Sequence, residues 1–262
     1  MSDLDRNYSP FGRVAGRADA ATVDAGLRAY MLRIYNYMSI GLAITGLAAL
    51  GIYIAAVTTD PSATAYHFRD ISLTSFGYAM YFSPLKYLFM LAPLAMVFAL
   101  SAGINRMAPS TAQMMFWVFS ALMGVSLSSI FLVYTHTSIV RVFFITAATF
   151  GALSLYGYTT RRDLTGFGSF LFMGLIGIVI ASLVNLFLHS TGLQFVVSVI
   201  GVLVFAGLTA WDTQRLKNDY IYGYASAGAD IAERAAITGA LSLYLNFINL
   251  FTLLLQLLGQ RD

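Results

Sequence analysis

The last apolar segment of the chain carries polar side chains at helical spacing. These side chains are Thr238, Ser242, Asn246, Asn249, Thr252 and Gln256. Successive members are 4, 4, 3, 3 and 4 residues apart, or 3.6 residues per turn, so they form one stripe along a helix rich in Leu, Ile and Phe. Amide and hydroxyl groups are costly against lipid, and we expect the stripe to face protein or water. It indicates either the lining of a hydrophilic path or hydrogen bonds between helices.

Asp212 is the second residue whose side chain could take part in chemistry. It ends the apolar run 195–212 and follows Trp211. An ionisable group at membrane depth is costly and often marks an ion or proton pathway. The alternative is that Asp212 lies in the headgroup layer, where Trp211 would anchor the helix.

The chain lacks the residues that several kinds of membrane-embedded active site need. A serine intramembrane protease needs a histidine within a span, but His67, His136 and His189 fall in predicted loops. An aspartyl protease needs two embedded aspartates that share a proton, and only Asp212 qualifies. A retinal protein needs a lysine in the last helix, and neither lysine lies there; cysteine is absent altogether. We therefore expect a protein that is not an enzyme and has no metal site or other cofactor.

The composition predicts that these residues are held by membrane-spanning helices. Of 262 residues, 58% are hydrophobic and 10% are charged, whereas soluble domains have about 25% charged residues. One spanning helix needs about 20 mostly apolar residues. Seven segments qualify, at about 35–57, 86–105, 112–134, 139–158, 167–188, 193–213 and 235–258. The sequence predicts an all-α integral membrane protein, a seven-transmembrane-helix bundle over residues 34–262 with the C-terminal helix at its centre.

Residues 1–33 form a polar N-terminal segment with five arginines. From Thr22, apolar side chains recur at helical spacing as far as Ile34, which predicts an interfacial helix before the first span. A solvent-exposed cytoplasmic extension of the first span is the alternative. With the N-terminus inside, the inner segments hold eleven Lys and Arg residues and the outer segments hold four. This bias predicts a cytoplasmic N-terminus. The net charge of +3 is dispersed, so we expect the lipid bilayer and no nucleic acid as a partner.

Small residues predict where helices approach each other closely. Gly124 and Ser128 form one such pair, and Ala147 and Gly151 form another. Small-xxx-small spacing allows close backbone contact in membrane bundles. Leu253, beside the polar stripe, is expected to face lipid.

Two C-terminal segments read GLTAWDTQRLK (207–217) and LSLYLNFINLFTLLLQLLG (241–259). Together they resemble the signature of the Bax inhibitor-1 family, the transmembrane Bax-inhibitor-motif proteins. Its usual form is an aromatic-Asp-Thr-Gln motif followed by Leu-Tyr-Leu-Asp-x-x-Asn-Leu-Phe. The segments 124–139 and 156–170 are also similar, and the resemblance runs from about residue 30 to the C-terminus. It indicates a bacterial-type member whose seven-helix bundle is wrapped around its last helix.

The resemblance implies a pH-sensitive Ca²⁺ leak in which aspartates on the last two helices share a proton. The first aspartate maps onto Asp212, but the second maps onto Asn246. Asparagine cannot ionise, although its amide can donate a hydrogen bond to Asp212. The implied function is a cation leak of the bacterial inner membrane, with Ca²⁺ as the permeant ion and blunted pH gating. The alternative is a regulator of membrane-protein quality control or stress survival that acts through membrane-protein partners.

Overall fold

The computed structural model describes residues 10–225 and 228–261, with side chains from Val23 onward apart from that of Asn105. Its helices are α1 Pro10–Ala56, α2 Ser75–Tyr81, α3 Leu85–Gly103, α4 Pro109–Leu127, α5 Ile130–Val133, α6 His136–Thr159, α7 Thr165–Leu188, α8 Thr191–Asp219 and α9 Ala229–Leu258. Its strands are β1 Tyr66–Phe68 and β2 Ile71–Leu73. A π-helical turn, Tyr220–Tyr224, prolongs α8.

Seven helical stretches in the described part of the chain are long and apolar enough to cross a bilayer. They are Val23–Ala56, Leu85–Gly103, Pro109–Val133, His136–Thr159, Thr165–Leu188, Thr191–Tyr224 and Ala229–Leu258. The prediction of a seven-helix integral membrane protein is confirmed. Several stretches exceed the predicted spans, because polar residues at the helix ends continue the helices beyond the apolar runs.

The N-terminal part of α1 continues into the first span as one helix of 47 residues. Its apolar stripe packs against the rest of the protein: Leu27 and Met31 are buried, and the Tyr30 ring stacks on Tyr220 with centroids 4.9 Å apart. Residues 23–34 therefore extend the first span as one helix, as the second alternative has it, but their apolar stripe is buried against the bundle and is not exposed to solvent. Residues 1–9 of the predicted polar segment lie outside the described residues.

Helix α9 occupies the centre of the bundle and packs against α1, α4, α6 and α8. Tyr244 on α9 is fully buried, and its hydroxyl oxygen lies 2.6 Å from Thr45 Oγ1 of α1. The rings of Phe116 and Phe119 on α4 contact the Tyr244 ring edge-on. The predicted central position of the last helix is confirmed.

Glycines allow close approach at two helix crossings. A Cβ at Gly124 would lie 2.4 Å from the Thr45 carbonyl oxygen, and one at Gly157 would lie 2.2 Å from the Ala210 carbonyl oxygen. The contact predicted at Gly124 is confirmed. The contact predicted at Gly151 is wrong, because no atom lies within 4 Å of where its Cβ would be; Gly151 faces a groove between α1 and α6.

The bundle has two ends. We call the end with the loops after α3, α6 and α8 the N-terminal face, and the opposite end the hairpin face. The segment between the first two spans lies at the hairpin face, where β1 and β2 form an antiparallel hairpin in which Tyr66 pairs with Leu73. Arg69 makes the turn with φ 53°.

Candidate functional site

The Asp212 carboxylate of α8 accepts two hydrogen bonds from the stripe on α9. Asn246 Nδ2 donates to Asp212 Oδ2 at 2.7 Å, and Ser242 Oγ donates to the same oxygen at 2.9 Å. Asp212 is 4% exposed and Asn246 is 6% exposed. The structure thus brings together the two residues that the resemblance maps onto a proton-sharing pair.

Arg215 provides the positive charge at this site. Its Nη2 lies 2.7 Å from Asp212 Oδ1, but no donor is aligned with Oδ1 as a hydrogen bond, so the contact is an ion pair. The guanidinium carbon lies 4.8 Å from the centroid of the Trp211 ring. This role was not predicted, because the predicted sixth span ends at about residue 213 and leaves Arg215 outside it. The signal was its i+3 spacing from Asp212, which places both side chains on one helix face.

A groove of about 700 Å³ runs between α7 and α9, over α8. Asp212 and Arg215 lie at the groove's end toward the N-terminal face. The stripe residues that line it are Ser242, Asn246, Asn249, Thr252 and Gln256. The α7 side is mainly apolar, with Ser182 as its polar member. One wall of the groove is therefore polar and the other is apolar.

The groove meets a second cavity of about 390 Å³ toward the hairpin face. Gln256, Ser182 and Leu253 line both cavities. The second cavity adds three polar residues near the ends of α7 and α8: Asn185, His189 and Gln194. Polar side chains therefore line both cavities, from Asp212 to the hairpin face.

The stripe residues differ in their hydrogen bonds. Asn249 Nδ2 and Thr252 Oγ1 donate to carbonyl groups of their own helix, while Gln256 Oε1 accepts a bond from Ser198 Oγ of α8 at 2.8 Å. The middle of the stripe therefore faces the groove, and residues on either side of it join α9 to α8.

Two residues of α9, Thr238 and Leu253, are not placed as the stripe pattern predicts. Thr238 is exposed, bonds to the Arg234 carbonyl group of its own helix and lies outside the groove. The expectation that Leu253 faces lipid is wrong. It is 9% exposed, and its Cδ1 would lie 2.7 Å from a Cβ at Gly201 of α8, because the missing side chain at Gly201 leaves room for Leu253.

The residues that follow Asp212 fasten α8 to its other neighbours. Thr213 Oγ1 lies 3.0 Å from Ser154 Oγ of α6. Gln214 Nε2 donates to the Arg162 carbonyl oxygen at 2.7 Å, and Gln214 Oε1 accepts from the Leu164 backbone N–H at 2.8 Å. The Asp-Thr-Gln motif thus joins α8 to α9, to α6 and to the loop before α7.

These contacts also indicate the depth of the site. Ser154 lies five residues before the end of α6 at Thr159, which corresponds to roughly 8 Å along the helix. Asp212, next to Thr213, is therefore one to two turns inside the N-terminal face.

In the loop between α6 and α7, hydrogen bonds from Thr165 hold the pKa of the Asp163 carboxyl below its ordinary value.

The chemistry available at the site is that of oxygen ligands around one carboxylate. Among the described residues, no group of three or more His, Cys, Asp or Glu side chains could hold a metal ion tightly. A single carboxylate with hydroxyl and amide oxygens along a groove suits weak, transient contact with a hard cation.

Comparisons with known proteins agree with the resemblance seen in the C-terminal segments. The sequence profile of the family described as "Inhibitor of apoptosis-promoting Bax1" matches residues 27–262. A Rickettsia prowazekii relative is 48% identical over 240 residues, covering 92% of this chain and 93% of its own. The inner membrane protein YbhL of Escherichia coli K12 is 46% identical over 239 residues, covering 90% and 94%.

Proposed function

The chain belongs to the Bax inhibitor family, and from this premise we propose that it is a passive cation pathway with Ca²⁺ as its permeant ion. The route follows the groove between α7 and α9, and Asp212 is the group that attracts the ion. The protein acts without catalysis and without a resident cofactor.

The observation that carries this proposal is the position of Asp212 at one end of a groove that has one polar wall. Asn249 and Thr252 line the groove beyond it, and their side-chain oxygens can replace part of an ion's water shell. A carboxylate at a constriction concentrates cations, and Ca²⁺ prefers carboxylate, carbonyl and hydroxyl oxygens. The cavity with His189 and Gln194 extends the route toward the hairpin face.

Arg215 holds this pathway closed at the N-terminal face. Its guanidinium lies 2.7 Å from Asp212 Oδ1, where an arriving cation would bind. A Ca²⁺ ion can reach the carboxylate only after Arg215 moves aside. The Arg215 side chain is 40% exposed, so it has access to solvent into which it can turn. The pathway therefore opens when a Ca²⁺ ion displaces the Arg215 guanidinium from the Asp212 carboxylate.

Asn246 makes the pathway weakly sensitive to pH. In an aspartate pair, two close carboxylates cannot both ionise easily, and a shared proton reports the pH. Asn246 keeps the hydrogen bond to Asp212 at 2.7 Å but brings no second titrating group. The hydrogen bond that joins α8 to α9 is retained, but the pair has no shared proton that it could lose as the pH rises.

The proposed location is a bacterial inner membrane with the N-terminus in the cytoplasm. The name of the Escherichia coli relative, inner membrane protein YbhL, supports the membrane. The excess of Lys and Arg in the segments on the side of the N-terminus, eleven against four, supports the orientation. Asp212 and Arg215 then lie near the cytoplasmic face.

Ca²⁺ flux into liposomes tests this function. The purified full-length chain is reconstituted with a Ca²⁺-sensitive dye inside the vesicles, beside Asp212→Asn and empty vesicles. We expect the chain alone to conduct and Asp212→Asn to conduct less. Flux that matches empty vesicles would refute the pathway.

A regulatory role through partner proteins is the second candidate, and the length of α1 favours it. The 47 residues of α1 extend about 70 Å at 1.5 Å per residue, whereas the hydrocarbon core is about 30 Å thick. Part of α1 therefore projects beyond the bilayer, where a membrane-protein partner in quality control or stress survival can contact it. A regulator requires that partner, whereas a pathway conducts alone.

A further inference from the structure

A second groove lies on the other side of the bundle, between α1 and α6. Its part near the N-terminal face has a volume of about 550 Å³ and a mainly apolar lining that includes Met31, Phe150 and Leu155. Helices α1 and α6 do not pack closely along their length. Tyr35 and Ser154 bridge them, with 2.5 Å between their hydroxyl oxygens.

A second apolar cavity, of about 300 Å³, lies nearer the hairpin face and is lined by Leu42 of α1 and by Phe143 of α6. It has no lining residue in common with the first cavity. Phe247 of α9 lines the second cavity, and its ring contacts Phe143 of that cavity and Phe150 of the first, with centroids 5.7 Å and 5.5 Å away. We call these two successive apolar cavities between α1 and α6 the cleft.

Among the described residues that line the two cavities, Arg28 is the one charged side chain. Arg28 lines the cavity at the N-terminal face and is exposed; within the described residues no acidic side chain pairs with it. Lys217 lies close by, because its Nζ donates at 2.9 Å to the carbonyl oxygen of Tyr158, another lining residue. Tyr158 lies one residue before the end of α6, so both cations are at the level of the lipid headgroups.

We propose that this cleft binds one anionic phospholipid. Arg28 and Lys217 contact the phosphate of its headgroup, and an acyl chain lies in the cleft over Phe150 and Phe247. An apolar cleft with cations only at the headgroup level matches the charge distribution of such a lipid. Basic pockets between transmembrane helices recognise anionic headgroups in this way, each cation contributing to binding. This site is separate from the α7–α9 groove and does not depend on the proposed ion pathway.

Gly151 offers a direct way to block the cleft. It lines the cavity, and no atom lies within 4 Å of its missing Cβ, so Gly151→Leu fills the space of the acyl chain without a clash at Cβ. Gly177 on α7 is the matched control, because it is exposed and also has no atom within 4 Å. For the charge, Arg28→Gln is compared with Arg106→Gln, since Arg106 is exposed at the same face but is not part of the cleft lining.

The test is native mass spectrometry of the full-length protein with phosphatidylglycerol or phosphatidylcholine that carry identical chains. We expect the unmodified protein to retain phosphatidylglycerol preferentially, and Arg28→Gln to lower that preference about fivefold. Gly151→Leu should lose the bound lipid, while Gly177→Leu and Arg106→Gln retain it. Equal retention of both lipids by the unmodified protein would overturn the proposal, as would full retention by Gly151→Leu. A dimer lost only in Gly151→Leu would show that a second copy, not a lipid, fills the cleft.

Discussion

Arg215 and Asp212 form an ion pair within one turn of α8, with Nη2 2.7 Å from Oδ1. The remaining carboxylate oxygen accepts hydrogen bonds from Asn246 and Ser242 of α9. Both oxygens are therefore engaged, one by a charge on the same helix and one by the central helix. The charge of the carboxylate is thus balanced by Arg215, and in the proposed pathway this ion pair is the closed state at the N-terminal face.

Removing the positive charge should open the pathway. Arg215→Gln leaves Asp212 hydrogen-bonded to α9 but frees Oδ1 for a cation, so we expect Ca²⁺ flux to rise by roughly tenfold, the factor that about 1.4 kcal/mol of relieved competition gives. Flux in liposomes measures this. Arg106→Gln is the control, because Arg106 is an exposed arginine at the same face and should leave the flux unchanged. A lower flux in Arg215→Gln would show that the guanidinium helps conduction.

Restoring a carboxylate at position 246 should create pH sensitivity. We expect the flux of the unmodified protein to change little between about pH 5 and 8, since the Asp212 site has no second carboxylate. In Asn246→Asp, two carboxylates lie within hydrogen-bond distance and share a proton at low pH. Losing that proton adds a negative charge, so the flux should rise with pH.

Flux measured across this pH range for both proteins tests the prediction. The expected curve for Asn246→Asp meets that of the unmodified protein at low pH and lies above it at high pH. A steep response of the unmodified protein would contradict the role of Asn246. His189, which lines the cavity toward the hairpin face, would then be the first residue to replace.

The groove-facing stripe should be accessible to water. Single cysteines are interpretable because the chain has none. We expect cysteines at Ser242, Asn249 and Thr252 to react with a small charged thiol reagent more slowly than loop positions but faster than one at Ile180, whose side chain is 56% exposed inside α7 and does not line the groove. Labelling at Asn249 as slow as at Ile180 would leave hydrogen bonding between helices as the stripe's role.

The two faces of the bundle should lie on opposite sides of the membrane. Reporter fusions at Ser2 and near Ser75, in the segment at the hairpin face, should report the cytoplasm and the outer side respectively. The imbalance of Lys and Arg is the physical reason. The same side for both fusions would contradict an odd number of spans between these faces, and a reversed result would place Asp212 near the outer side.

Much of the architecture was predictable because bilayer spanning depends on composition over about 20 residues. The six-residue stripe indicated the central helix, and Asp212 and Asn246 were expected to pair, as the 2.7 Å bond confirms. The ion pair with Arg215 was missed because α8 continues to Asp219, past the apolar run that defined the span. The α1–α6 cleft could not be predicted, since Gly151 alone does not reveal which helix faces it.

The most direct test of the central claim is Ca²⁺ flux through the purified chain in liposomes, with and without the Asp212 carboxylate. We expect the unmodified protein to conduct without any partner, and Asp212→Asn to lower the flux by roughly tenfold, because about 1.4 kcal/mol of lost ion binding corresponds to that factor. Asp163→Asn, which changes an exposed loop carboxylate, should conduct like the unmodified protein. Equal flux in Asp212→Asn and the unmodified protein, or no flux in either, would contradict a cation pathway built on Asp212.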